Sequence, residues 1–351
     1  MKPIRVLILG TGGMANAHAE FYTAIPGVTL VAGIDNNPDR LAAFNAKHGI
    51  PHGFPSVAEA LAWGEFDAVS NVTPDPVHYP TTLPLLAAGK HVLCEKPLAT
   101  NHAHAAEMAA AAKAAGVVNM VNLSYRNVPS LMHAATMVDA GEIGEVRHFE
   151  AAYLQSWLTQ PAWGEWSTEQ QWLWRLSTAH GSMGVLGDIG VHILDFATYA
   201  ARLDVTNVSC RLTTFDKAPG GRIGEYVLDA NDSFAMHLRL ANGASGVVHA
   251  SRMATGHFND LSLRLYGTKG GLDVRYENGI SSLRACTGED ILTPTWRNVE
   301  TPEVLPNVTR FIMAIRDGAQ VLPDFARGAS LQQVLDLAAR SDAQGCTDQA
   351  V

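Results

Sequence analysis

The sequence predicts two folds in series: an α/β, doubly wound parallel sheet in the first third of the 351 residues, then an α+β region built on a mainly antiparallel open sheet with helices on one face. Three observations lead there. Over the first 120 residues, short near-continuous apolar runs alternate with Ala-rich helical stretches, the pattern of parallel βαβ units whose strands are covered on both faces. After about residue 145, strand-like segments follow one another through tight turns in place of crossover helices. The length allows two or three domains and buries enough surface to need no covalent staple. The expected division is 1–123 and 124–351, with the C-terminal helices free to pack back on the first domain.

In the first region, strands are expected at 4–9, 28–34, 67–72, 91–94 and 117–121. Helices fall between them near 13–25, 38–48, 56–63, 76–89 and 100–115, punctuated by Asn37-Pro38, Ala88-Gly89 and Ala115-Gly116. In the second region, Asn242-Gly243 joins the alternating segments 232–240 and 244–252, and Asn278-Gly279 joins 271–277 to 280–285, so each marks a hairpin. A helix is expected over 188–201, and two more, 306–317 and 328–341, precede a polar tail.

Lys plus Arg number 25 against 34 Asp plus Glu, a formal charge of −9, which disfavours a broad attraction to nucleic acid or anionic lipid. Cys94, Cys210, Cys286 and Cys346 form no C-x-x-C pair, so no zinc knuckle or dithiol motif arises locally, and a reducing cytoplasm fits best. Lys2 and Arg5 ahead of apolar residues imitate a signal peptide. The run Val6–Leu9 is too short for one, and no stretch approaches a membrane span. His102 and His104 lack partnered Cys or acidic ligands, so no metal site is expected from them.

The first strand runs into GTGGMA, residues 10–15, a match to G-x-G-x-x-A that opens a helix and is followed 20 residues after Ala15 by Asp35 at the end of strand two. The spacing has a mechanism. Gly10 permits the tight turn, Gly12 lets the backbone approach a pyrophosphate at the positive helix end, and Ala15 allows close helix–strand packing. Gly13 and Met14 complete the turn, and Asp35, followed by Asn36, is placed to accept hydrogen bonds from the adenosine ribose. The first domain therefore reads as a dinucleotide-binding Rossmann unit. A carboxylate at Asp35 repels a 2′-phosphate, so NAD is expected over NADP. The alternative is a Gly-rich turn of another α/β fold with Asp35 as a helix cap.

Two further segments carry chemistry. Glu95-Lys96-Pro97 places a lysine at the carboxyl edge of the parallel sheet, where open α/β folds bind ligands. In 187-GDIGVHILD-195, Asp188 and His192 are four apart and share one helix face. With GTGGMA, 71-NVTPDPVH-78, EKP and D-x-G-x-x-x-D in this order, the chain resembles the Gfo/Idh/MocA dehydrogenases, which act largely on sugars and cyclitols, over about residues 4–340.

The resemblance implies that Lys96 belongs to the catalytic group, that His192 transfers the proton and that Asp188 helps hold substrate and histidine. It also implies that Asn71, Thr73, Pro74, His78 and Glu95 line the nicotinamide side. The chemistry agrees, because oxidising a secondary alcohol needs a base that titrates near neutrality, and a lysine can stabilise alkoxide character on the same oxygen. A helix N-terminus disfavours the His192 imidazolium and Asp188 favours it; the sequence leaves open which prevails, and whether His192 or Lys96 is the principal base.

Five of the seven tryptophans, Trp157, Trp163, Trp166, Trp172 and Trp174, lie between 157 and 174. They read either as platforms for sugar rings, with Arg175 and Gln171 reading hydroxyls, or as a miniature core or subunit interface. Tyr125 and Arg126 take the family position bordering the site, Arg126 as a holder of a hydroxyl or carboxylate, and Asp195 is a further candidate. Other functions implied by the resemblance are a redox-cycling NAD-dependent glycosidase and a non-catalytic sugar or dinucleotide sensor; pairing through the open sheet face implies a homodimer or homotetramer.

Overall fold

The apolar runs of the first region form a fully parallel sheet. In the computed structural model, which describes residues 3–161 and 163–351, the elements follow in the order β1 (Ile4–Leu9), α1 (Gly13–Thr23), β2 (Val28–Ile34), α2 (Pro38–His48), β3 (His52–Phe54), α3 (Val57–Trp63), β4 (Ala68–Asn71), α4 (Asp75–Ala87), β5 (His91–Cys94), α5 (His102–Ala115) and β6 (Asn119–Val121). The strand order is β3-β2-β1-β4-β5-β6, doubly wound about β1 and β4. Polar side chains start the helices: Asn37, Ser56 and Asn101 each accept a backbone N–H three residues on. The three-residue edge strand β3, largely exposed, has too few apolar residues to read as a strand in sequence.

The core of this sheet joins Val6 and Ile8 of β1 to Ala15, Ala19 and Tyr22 of α1, and is completed from far along the chain by Val308, Phe311 and Ile312 of the later helix Asn307–Asp317. By contact density the chain divides into two compact units, Met1–Ser124 with Leu305–Gln332, and Tyr125–Val304 with Gln333–Val351.

The second unit contains α6 (Pro129–Asp139), β7 (Val146–Gln155), a short α7 (Gln170–Leu173), α8 (Val191–Ala201), β8 (Val205–Thr213), the small hairpin β9 (Arg222–Ile223) and β10 (Tyr226–Val227), β11 (Ser233–Leu240), β12 (Ser245–Ser251), β13 (Asn259–Gly267), β14 (Gly270–Glu277), β15 (Ile280–Thr287) and β16 (Arg297–Asn298). Then come α9 (Asn307–Asp317), α10 (Phe325–Ala343), within which the division falls, and β17 (Gln349–Ala350). Nine strands form one mixed sheet in the order β16-β15-β14-β13-β7-β12-β11-β8-β17.

Both expected hairpins form. β14 pairs antiparallel with β15 through Asn278 and Gly279, both at positive φ (51° and 79°), as the tightest hairpin turn demands. The ladder is antiparallel throughout except at its centre, where β12 runs parallel to β7. Expected as one α-helix, 188–201 instead opens with a wider π-helical turn, Leu186–Gly190, before α8 begins. No helix among the described residues is long and apolar enough to cross a membrane.

Candidate active site

In the first unit, β1 delivers the chain into the glycine turn. Gly10 sits at φ +85°, and a Cβ there would lie 2.9 Å from the Val72 carbonyl oxygen, so only glycine fits. Over Gly12 and Gly13 a Cβ would meet nothing within 4 Å, which leaves room for a pyrophosphate to approach the backbone. No side chain caps α1 and no acid stands in its first turn, so the positive end of the helix is not neutralised from within. Met14 and Asn36 are exposed beside this turn. These residues fit a dinucleotide.

Asp35, at the end of β2, is buried and already accepts five hydrogen bonds: from Thr11 N (2.9 Å), Thr11 Oγ1 (2.8 Å), Asn37 N (2.9 Å) and both arms of Arg40 (2.9 and 2.7 Å). Burial alone would raise its pKa, but Arg40 and the Asn37 and Thr11 donors outweigh it and hold the carboxyl well below the usual range. Arg40 is the half-exposed partner, so its arm is the one a ribose would displace. The pair contains a carboxylate suited to a ribose 2′-hydroxyl and a guanidinium suited to a 2′-phosphate. Asp35→Ser, which removes the repelling charge and releases Arg40, is expected to shift the NADP-to-NAD affinity ratio towards NADP by roughly tenfold or more in isothermal titration.

At the carboxyl ends of β4 and β5, Asn71 is buried; its Oδ1 accepts from Thr73 N (3.2 Å) and Thr73 Oγ1 (2.7 Å), which shapes the turn into the exposed Pro74. Glu95 faces a buried polar cluster: His18 Nε2 lies 3.0 Å from its Oε1, Asn122 Nδ2 donates to the same oxygen at 2.6 Å, and the Lys96 N–H donates to Oε2 at 3.3 Å. Lys96 itself is half-buried at the sheet edge. His18 thus supports the residue before the lysine, a role its place in α1 did not signal. His78, expected to line the nicotinamide side, is wholly buried with its ring turned inward.

The Glu95 cluster makes stability depend on acid. Burial pushes the carboxyl up, but His18, Asn122 and Lys96 outweigh it and bring the pKa from 4.5 down to about 2. A depressed carboxylate pKa contributes stability above the unfolded value that is lost as pH falls from about 4.5 towards 2. Glu95→Gln is expected to cost on the order of 3 kcal/mol at pH 7, and its gap from the parent chain in thermal melts to narrow by about half or more at pH 3.

In the second unit, the π-helical turn presents Asp188 to two guanidiniums. Arg252 Nη2 donates to Oδ2 at 2.9 Å and Arg175 Nη1 to Oδ1 at 3.3 Å. Arg252 is completely buried, and its other arm donates to the Arg175 carbonyl. His192 is buried at the start of α8, its ring edge-on to Tyr125, 5.0 Å between centroids at 86°. Tyr125 belongs to a closed hydroxyl-amide cluster: Asn259 Nδ2 donates to Tyr125 Oη (2.8 Å), the hydroxyls of Tyr125 and Tyr153 lie 2.5 Å apart, and Tyr153 donates to Asn259 Oδ1 (2.5 Å). Burial pushes the Tyr125 phenol up to about 12, so both ring hydroxyls stay protonated, and with Tyr153 donating to Asn259 the Tyr125 O–H donates to Tyr153.

Two expectations for the pocket need correction. Arg126, taken as a hydroxyl or carboxylate holder, is only 3% exposed; it forms a bidentate ion pair with Asp195 (2.6 and 2.8 Å) and stacks on the Tyr199 ring. Trp157, offered as a sugar platform with a miniature core as the equal alternative, is buried in a satellite core with Leu158, Leu176 and Leu228, against which Trp163, Trp166 and Trp172 pack. The long irregular segment before α8 has no regular ladder to stabilise it and uses its aromatic side chains as its own core. Trp174 remains half-buried under the Arg175 guanidinium, 4.7 Å from its ring.

Sequence reading missed Arg252, Tyr153, Gln155 and Asn259, yet a signal existed. Gly246, Val248 and Ala250 are the inward positions of β12, and Arg252 falls next in the same period of two; Gln155 likewise continues Phe149, Ala151 and Tyr153 on β7. A polar residue in phase with a buried strand face marks a designed internal contact.

Comparison with known proteins agrees with this fold. A family model described as oxidoreductase family, NAD-binding Rossmann fold, matches residues 4–123, and the GFO/IDH/MocA C-terminal domain model matches residues 131–273. Levoglucosan dehydrogenase of Pseudarthrobacter phenanthrenivorans is 26% identical over 98% of this chain and 97% of its own. A scyllo-inositol 2-dehydrogenase (NADP(+)) of Bacillus subtilis is 36% identical, over 43% of this chain and 46% of its own. A solved structure of levoglucosan dehydrogenase in complex with NADH and L-sorbose superposes with a TM-score of 0.88 at 26% identity, covering 100% of this chain and 99% of the other.

Proposed function

Because the chain belongs to the Gfo/Idh/MocA family of NAD-binding oxidoreductases, we propose that it is a dehydrogenase acting on a secondary alcohol of a sugar, a cyclitol or a derivative of one, with Lys96 and His192 handling the hydroxyl proton. The observation that carries this reading is the fixed acid–histidine segment: Asp188 held by Arg252 and Arg175, and His192 one turn on, its ring oriented by Tyr125. Relatives named for levoglucosan and scyllo-inositol support the polyol class.

When bound, the nicotinamide accepts or returns the hydride. The remaining work falls to side chains. His192 takes the hydroxyl proton during oxidation and returns it in reduction; Lys96 donates a hydrogen bond to the same oxygen and so stabilises alkoxide character. Asp188, already neutralised by two guanidiniums, holds a substrate hydroxyl and the histidine. The Tyr125 ring, fixed by the Tyr153–Asn259 cluster, packs edge-on to the histidine, and Trp174 with Arg175 borders the substrate.

The test is a panel of anhydrosugars, free sugars, inositols and sugar acids screened with NAD at alkaline pH, following NADH absorbance. Stoichiometric NADH accumulation with one polyol is the expected result. Release of free sugar from a glycoside without NADH would replace this reading with redox-cycling hydrolysis, and NAD binding without turnover on any polyol would replace it with a sensor.

The same proposal places the enzyme in a reducing cytoplasm, a setting supported by its four free thiols, and makes it a homodimer or homotetramer through the sheet face opposite α6 and α8. That face carries a row of alternating charges in register across four strands, Glu150, Arg264, Asp273 and Arg284. Light scattering at the mass of one chain would reject the assembly.

A further inference from the structure

His78 stands in α4, and its side chain is wholly buried. Its Nδ1 lies 2.8 Å from the Pro97 carbonyl oxygen and its Nε2 2.8 Å from the Thr73 carbonyl oxygen. Carbonyl oxygens only accept, and a neutral imidazole carries a single N–H. Both contacts are hydrogen bonds only when both nitrogens carry protons. Burial opposes that charge, but Cys94, Asp75 and the Pro97 carbonyl outweigh it and hold the ring's pKa above its ordinary value. The ring therefore bridges two turns that follow different strands, one after β4 and one after β5.

The two ends of the bridge are not equivalent. Thr73 is also held by Asn71, which accepts from both its N–H and its hydroxyl. Pro97 directly follows Lys96. We propose that His78 is a positioning residue for Lys96: by donating to the Thr73 and Pro97 carbonyls together, it ties the lysine turn to the independently held Asn71–Thr73 turn. The inference rests on the reading that Lys96 serves the reacting hydroxyl. It separates cofactor binding from catalysis, because loss of the ring leaves the Thr73 turn in place and removes the tie at the Pro97 carbonyl. The lysine turn is then held from its other side, where the Glu95 N–H donates to the Asn71 carbonyl (2.9 Å) and the Lys96 N–H to Glu95 Oε2 (3.3 Å).

A double-mutant cycle tests it, with the polyol identified by the panel as substrate. His78→Phe is expected to bind NAD within about threefold of the parent chain by isothermal titration and to turn over about 10- to 100-fold more slowly, with His78→Gln, which keeps one donor, in between. In a Lys96→Met background, His78→Phe is expected to add less than about twofold, since a residue acting through the lysine has nothing left to position. Multiplicative losses in the double variant would overturn the proposal, as would a loss of NAD affinity matching the loss of turnover, or parental turnover in both His78 variants. Full turnover in Lys96→Met alone would instead remove the role assigned to the lysine, and the positioning proposal with it.

Discussion

Lys96→Met and His192→Asn are each expected to lower turnover by about 10²- to 10⁴-fold while NAD still binds. The size follows from what each side chain would do. Without a base at the hydroxyl, oxidation must expel a hydride from a neutral alcohol; without the ammonium, charge that develops on that oxygen has one donor fewer in a site where donors are worth most. Both effects belong to the transition state, so they appear in kcat more than in KM. On the proposed reading cofactor affinity would have other sources: the open turn at Gly12 and Gly13, the uncapped end of α1 and the Asp35 carboxylate. Steady-state kinetics with isothermal titration of NAD checks the separation. The pH profile of kcat/KM in the two variants then shows which limb belongs to which group, and near-parental turnover in both would remove the assignment.

Arg126→Met is expected to destabilise the chain by about 3–5 kcal/mol in denaturant melts, the largest stability loss foreseen for a single substitution. The guanidinium and Asp195 are each about 3% exposed and paired through two short hydrogen bonds. Removing the cation leaves the Asp195 carboxylate buried without that counter-ion, and the penalty is mostly its desolvation. Arg126→Met combined with Asp195→Leu is expected to recover most of the loss, since two apolar groups of similar volume carry no such penalty. Activity gives a second readout. The pair ties the segment carrying Tyr125 to α8, which carries His192, so even the stable double variant should turn over more slowly than the parent chain.

Legibility followed the range of the interactions. Gly10, the helix start at Asn37-Pro38 and both Asn-Gly hairpins could be read because each is specified within a few neighbours along the chain. Asp35 could be placed because the spacing from one βα turn to the next strand end is set by a single βαβ unit. The π-helical turn at Leu186–Gly190 escaped, since its residues pattern like the α-helix that follows. The tryptophans fitted two readings equally well until their neighbours were known.

From the sequence alone came the dinucleotide turn and, β3 apart, the strands and helices of the first region, which depend on local conformational preference or on periodicity along one element, and the candidates Lys96, Asp188 and His192, whose roles the family resemblance implied. Tertiary structure alone decided which partners those candidates have. Arg252 reaches Asp188 across 64 positions, His18 reaches Glu95 across 77, and Asn259 reaches Tyr125 across 134. Such pairs are set by sheet register, including the one parallel pairing at the centre of the nine-stranded ladder, and a shift of one residue would turn every side chain to the opposite face.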